Sequence, residues 1–124
     1  MAHEEYQSCI QACHDCAVEC EHCATACLEE QDVKMMARCI ALDRECARIC
    51  YTASASMASN SEFAHEICKV CADICRACGE ECRQHESMEH CRRCAEACDR
   101  CAKECERMGA MGKRVMSKVT RAAA

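Results

Sequence analysis

The stretch CIQACHDCAVECEHCATAC, residues 9–27, places six cysteines at intervals of 4, 3, 4, 3 and 4. That alternation keeps side chains on one stripe of an α-helix, the a and d positions of a heptad, which a helical bundle normally fills with leucine. The spacing returns at Cys68, Cys71, Cys75, Cys78 and Cys82, and again at Cys91, Cys94, Cys98, Cys101 and Cys105. A cysteine-poor segment between them keeps the same register, since Met36, Cys39, Asp43, Cys46, Cys50, Ala53 and Met57 step by 3, 4, 3, 4, 3 and 4. Charged residues such as Glu19, Glu21, Arg76, Glu80, Arg92, Arg93 and Lys103 fall between the stripes, as on solvated faces.

Composition agrees with four helices. Leu, Ile, Val and Phe number only 13 of 124 residues, a level that by itself points to disorder. Nineteen Cys and 21 Ala supply the missing apolar material, because a free thiol behaves as a small hydrophobe. With no Pro and three Gly, little interrupts a helix, and Ala, Glu, Arg and Met favour one. The breaks are short and polar: EEQD at 29–32 with Asp32 as a cap, SNSE at 59–62 with Ser59 and Glu62 at capping-box spacing, and HES at 85–87 with Ser87 as a cap. Gly109 is the expected stop of the fourth helix. Connections this short make neighbours antiparallel, which predicts an all-α, up-down-up-down four-helix bundle with a cysteine-lined core. The expected organisation is a four-helix-bundle domain over residues 1–108, followed by a basic tail over 109–124.

Residues 1–107 carry 21 acids and 12 bases, a balance of −9, and the last 17 residues carry four bases and no acid. The acidic body argues against nucleic acid as a partner. The tail is expected either to be a solvated end or to touch an anionic surface or a neighbouring subunit. No apolar run is long enough for a membrane span, and the first twenty residues lack the pattern of a secretory signal, so the cytoplasm is the expected compartment. Thiols stay reduced there, and an odd cysteine count does not close into intrachain disulfides.

Cysteines used only for packing would sacrifice volume nineteen times over, when burying a larger side chain is worth about 1.5–3 kcal/mol. Ligation explains them better. Side chains at i and i+3 or i+4 have Cβ atoms about 5–6 Å apart, so their sulfurs can approach to a span that one soft ion with two thiolate ligands bridges. Cu(I) accepts low coordination numbers and prefers thiolate. Each Cu(I) displaces one thiol proton and leaves the interior near neutral, whereas a divalent ion on four thiolates carries −2 into a dry core. A metallothionein-like Zn or Cd buffer and an iron–sulfur or thiol redox protein are the alternatives. Structural zinc and ferredoxin sites use turns and loops, however, and these spacings are helical.

Asp43 stands in the thiol lane, where a carboxylate must meet a metal, a donor or a cation. Either it is an oxygen ligand or partner of bound metal, or it pairs with an arginine or rotates outward. Antiparallel order brings Met36 and His85 to one mouth, with Met88 and His90 close by, as weaker ligands suited to transient capture. The other end is expected to collect Tyr6, Met57, Phe63 and Met108 as an apolar plug. His3, His14, His22 and His65 are expected to be cap or surface residues. Ile10, Val18, Ile40, Ile49, Val70 and Ile74 lie off the thiol lanes, available for the outer shell or subunit contacts.

The thiol-lined helices, CIALDREC at 39–46 and CKVCADICRACGEEC at 68–82 resemble the cytosolic bacterial copper storage proteins over about residues 4–107. The resemblance implies a four-helix bundle that holds many Cu(I) ions inside, associates as a homotetramer and stores or sequesters copper without catalysis. All nineteen cysteines, Cys9, Cys13, Cys16, Cys20, Cys23, Cys27, Cys39, Cys46, Cys50, Cys68, Cys71, Cys75, Cys78, Cys82, Cys91, Cys94, Cys98, Cys101 and Cys105, are then expected ligands, with Asp43, His85, His90 and Met36 beside them. A copper chaperone or efflux protein is the partner class such a store would use.

Overall fold

The structure, a computed structural model, describes the backbone of residues 2–123 and the side chains of residues 4–112. A helical turn, α1 (Ala2–Glu5), precedes four long helices: α2 (Gln7–Cys27), α3 (Ala37–Ala58), α4 (Ala64–Arg83) and α5 (Glu89–Ala123). A 3₁₀ turn, Val33–Met36, leads into α3. Helix α2 packs on α3 and α5, and α4 packs on α3 and α5, so the four helices close a ring. Neighbours run antiparallel: Cys9 meets Cys105 while Cys23 meets Cys91, and Cys39 meets Cys82 while Cys50 meets Cys71. Among the described residues no helix is long and apolar enough to cross a membrane.

Small residues set the helix spacing. Ala17, Ala24, Ala47, Ala72, Ala95 and Ala102 are buried beside the thiol lanes, letting backbones approach closely enough for short cysteine side chains to meet across the axis. Ion pairs tie the outer surfaces, as where Arg76 and Arg83 of α4 reach Asp99 of α5.

The helix boundaries differ in part from those expected. Asp32 does cap, its side chain accepting from the Met35 N–H at 3.2 Å, but the element it starts is the 3₁₀ turn. The Ser59/Glu62 capping box does not form. Asn60, at φ 53°, ends α3 instead: its N–H reaches the Met57 carbonyl and the Ser61 N–H reaches Ser56, which is a Schellman closure. Helix α4 then starts at Ala64, two residues beyond Glu62, with Phe63 at its N-cap. Ser87 also lies outside its helix, since the Met88 carbonyl accepts the first N–H groups of α5, from Cys91 and Arg92.

Gly109 does not stop α5, which continues through it. That residue faces α4, where a Cβ would lie 3.3 Å from Lys69 Cβ, and at Gly112 a Cβ would lie only 2.1 Å from His65 Cβ. These glycines permit close helix approach rather than a left-handed turn. The side chains of the basic tail beyond Gly112, and that of His3, lie outside the described residues.

Candidate metal centre

All nineteen cysteines are free, and all are buried. The periodicity of each helix aims its thiols inward, and antiparallel packing interleaves them by height. Near the Tyr6 end, Cys13 meets Cys105 and Cys101 at 3.5 Å each. In the middle, Cys16 lies 3.7 Å from both Cys46 and Cys98, and Cys50 reaches Cys71 at 3.7 Å and Cys75 at 3.8 Å. Towards the other end, Cys20 meets Cys94 at 3.6 Å and Cys39 meets Cys82 at 3.7 Å.

These contacts overlap into sets of four ligand atoms, each within 4.8 Å of one another. Cys13, Cys71, Cys101 and Cys105 form one; Cys16, Cys46, Cys50 and Cys75 another; Cys20, Cys78, Cys94 and Cys98 a third. A metal–thiolate bond of about 2.3 Å spans about 4.6 Å across a linear pair and about 4.0 Å along the edge of a trigonal site. The sulfurs therefore need only small shifts to hold ions in either geometry. Because Cys16 and Cys20 each belong to more than one set, the sites share walls along the axis.

Removal from water by itself disfavours the thiolate form of a buried cysteine. Removal from water pushes the Cys27 thiol up to about 12. Asp43 is 0% exposed and meets no arginine among the described residues: Cys78, Cys94 and Cys82 donate to its Oδ1 at 3.2, 3.4 and 3.7 Å, and Cys39 to Oδ2 at 3.8 Å. Neither the outward rotation nor the arginine pair expected as one alternative occurs. Burial pushes its carboxyl up to about 11. Asp43 is thus a neutral acceptor in a ring of thiols.

At the end formed by the α2–α3 and α4–α5 connections, Met36 is buried and Met88 is packed half-buried against the core. His90 turns Nδ1 towards Cys91, Cys23 and Cys27 at 3.5, 3.6 and 3.8 Å, and donates from Nε2 to Glu30 at 3.0 Å. These three cysteines and His90 form a further four-atom set. His85 donates from Nε2 to Glu81 at 3.0 Å, and Arg38 also holds Glu81. Sequence reasoning missed both carboxylates. The i,i+4 spacing of Glu81 and His85 was a usable signal, but nothing local links Glu30 to a histidine 60 positions away.

The opposite end differs from the expected plug. Tyr6, Met57 and Met108 are buried there, but Phe63 is 60% exposed. His65, expected to be a cap or surface residue, bridges instead: Nδ1 donates to the Met108 carbonyl at 2.8 Å and Nε2 lies 3.2 Å from the Tyr6 hydroxyl, with the two rings edge to face. Tethering to the α4 start leaves Phe63 on the surface. His14 and His22 are exposed, as expected.

A helical bundle whose interior is a continuous column of reduced thiols, with a thioether- and imidazole-bearing mouth, defines a protein built to hold several soft metal ions. Residues 2–110 match the model of the copper storage protein family, Csp, and the chain belongs to that family. A cysteine-rich protein of Bacillus subtilis (strain 168), YhjQ, described as uncharacterized, is 51% identical over 84 residues, 67% of this chain and 78% of that protein. The Cu(I)-bound copper storage protein BsCsp3 of Bacillus subtilis is 50% identical with a TM-score of 0.80, over 84% of this chain and 97% of that one. A cytosolic copper storage protein from Streptomyces lividans, solved with five coppers, is 38% identical with a TM-score of 0.81, over 88% and 95%.

Proposed function

We propose that this chain stores Cu(I) in the cytoplasm, holding many ions per monomer on the thiolates of its nineteen cysteines, with Asp43, His85, His90 and Met36 as auxiliary ligands. The observation that carries this reading is the burial of every thiol, most of them in four-ligand sets that follow one another along the bundle. Each Cu(I) replaces one thiol proton, so a full core stays near neutral, and loading strengthens as pH rises. The role is storage and not catalysis. The cytosolic assignment of the Streptomyces relative and its five coppers support compartment and multiplicity.

Copper passes in and out at the His85/His90/Met36 end, where a chaperone or efflux partner would exchange it. The Tyr6–His65–Met108 closure seals the other end. Subunits associate as a homotetramer through apolar outer faces such as the groove of Ile49, Phe63, Ile67 and Val70.

Anaerobic titration of the reduced protein with Cu(I) against a strong chelator tests the reading. A stoichiometry approaching the cysteine count is expected. Saturation near one ion per four thiols, or an iron–sulfur chromophore in protein as isolated, would sink it.

A further inference from the structure

We infer that Glu30 is a positioning residue for copper capture: from the loop after α2 it holds the His90 ring so that Nδ1, and not Nε2, is presented to Cys23, Cys27 and Cys91. The inference deepens the storage reading and rests on it for the identity of the ion, but not for the geometry.

The geometry starts with the end of α2. The N–H groups of Leu28, Glu29 and Glu30 bond to the carbonyls of Thr25, Ala26 and Cys27, a tightened turn that brings Glu30 over the first turn of α5. There Oε1 accepts the Nε2–H of His90 at 3.0 Å. A neutral imidazole has one N–H and one lone pair, so a carboxylate that keeps the proton on Nε2 leaves the lone pair on Nδ1. That nitrogen lies 3.5–3.8 Å from three thiols, and together they form a four-ligand set. Without Glu30 the proton can sit on Nδ1 and hydrogen-bond to sulfur, and the site then offers a donor where an ion needs a lone pair.

Metal-binding imidazoles characteristically give their second nitrogen to a carboxylate in this way. His85, just past the end of α4, makes the same Nε2–H contact with Glu81, four residues earlier in the last turn of that helix. The His90 pair differs because its carboxylate is 60 positions away in sequence, so the α2–α3 loop and the α5 start are tied together at the ligand. The Glu30 side chain is one-third exposed, so removing it opens no buried cavity.

The test uses full-length reduced protein under anaerobic conditions, with Glu30→Ala, Glu30→Gln and His90→Ala variants. Nitrogen-15 shifts of the histidine rings, read without copper, report the tautomer. Stopped-flow mixing with less than one equivalent of Cu(I), delivered as its acetonitrile complex, reports capture. The expected result is an Nε2–H tautomer at His90 in the parent. Glu30→Ala mixes the tautomers and slows first capture about tenfold, with the fold retained and only a small loss of thermal stability. Glu30→Gln, whose amide oxygen accepts the same N–H, recovers most of the rate.

An Nδ1–H tautomer in the parent, or Glu30→Ala capturing at the parent rate, overturns the inference. His90→Ala at the parent rate shows instead that capture occurs elsewhere. That failure of the storage mouth is separable from a failure of Glu30, because the tautomer is measured before any ion is added.

Discussion

Replacing Asp43 with Asn should remove a pH dependence from the stability of the copper-free protein. Asp43 is fully buried among four thiols and its carboxyl is pushed up to about 11, whereas in the unfolded chain it titrates near 3.8. Between those values the folded state binds one proton that the unfolded state does not. The stabilisation is therefore complete below the unfolded value and fades as pH rises towards the folded one. The slope is about 1.4 kcal/mol per pH unit, so between pH 5.5 and 7.5 the parent loses about 3 kcal/mol through this residue. Asparagine keeps the size, accepts from the same thiols and cannot ionise, so it lacks that slope. Urea unfolding of reduced, metal-free parent and Asp43→Asn at pH 5.5, 6.5 and 7.5 measures it. The difference between the two proteins cancels contributions from all other groups. It should move in favour of the variant by about 3 kcal/mol over that range. Parallel pH profiles would refute a neutral, desolvated Asp43.

Substitutions at Gly112 and Met36 probe the two ends of the bundle. Gly112→Ala would place a methyl 2.1 Å from His65 Cβ and displace the ring that joins Tyr6 to Met108, so a loss of about 1–3 kcal/mol is expected by thermal or urea unfolding. Gly79→Ala is the control: its new methyl meets nothing nearer than 3.4 Å, and better helix propensity should leave stability equal or raised by up to about 1 kcal/mol. At the mouth, Met36 is fully buried, so Met36→Ala should cost about 2–5 kcal/mol in the same assay, and the volume-conserving Met36→Leu less than about 1.5 kcal/mol. If the thioether is a ligand, Met36→Leu slows Cu(I) loading in stopped-flow despite its near-normal stability; an unchanged rate assigns Met36 to packing alone.

The sequence by itself determined the elements and what they carry. A 3/4 repeat is a property of a single α-helix, so the stripes from Cys9 to Cys27, Met36 to Met57, Cys68 to Cys82 and Cys91 to Cys105 named the four helices and their inward faces. Even Asp43 could be placed in its lane by counting. The tertiary structure decided whatever depends on which heights of different helices coincide. It surrounded Asp43 with Cys78, Cys82 and Cys94, all distant in sequence, and so made it a neutral acceptor instead of half of an ion pair. It drew Glu30 to His90 across 60 positions and locked His65 between Tyr6 and Met108. It also carried α5 through Gly109, because close packing on α4 used the missing side chain that would otherwise have favoured a stop. The physical reason is one of range. Periodicity is fixed by backbone geometry within a few residues, whereas the partner of a buried polar group is fixed only when loop closure and helix packing set the register between faces.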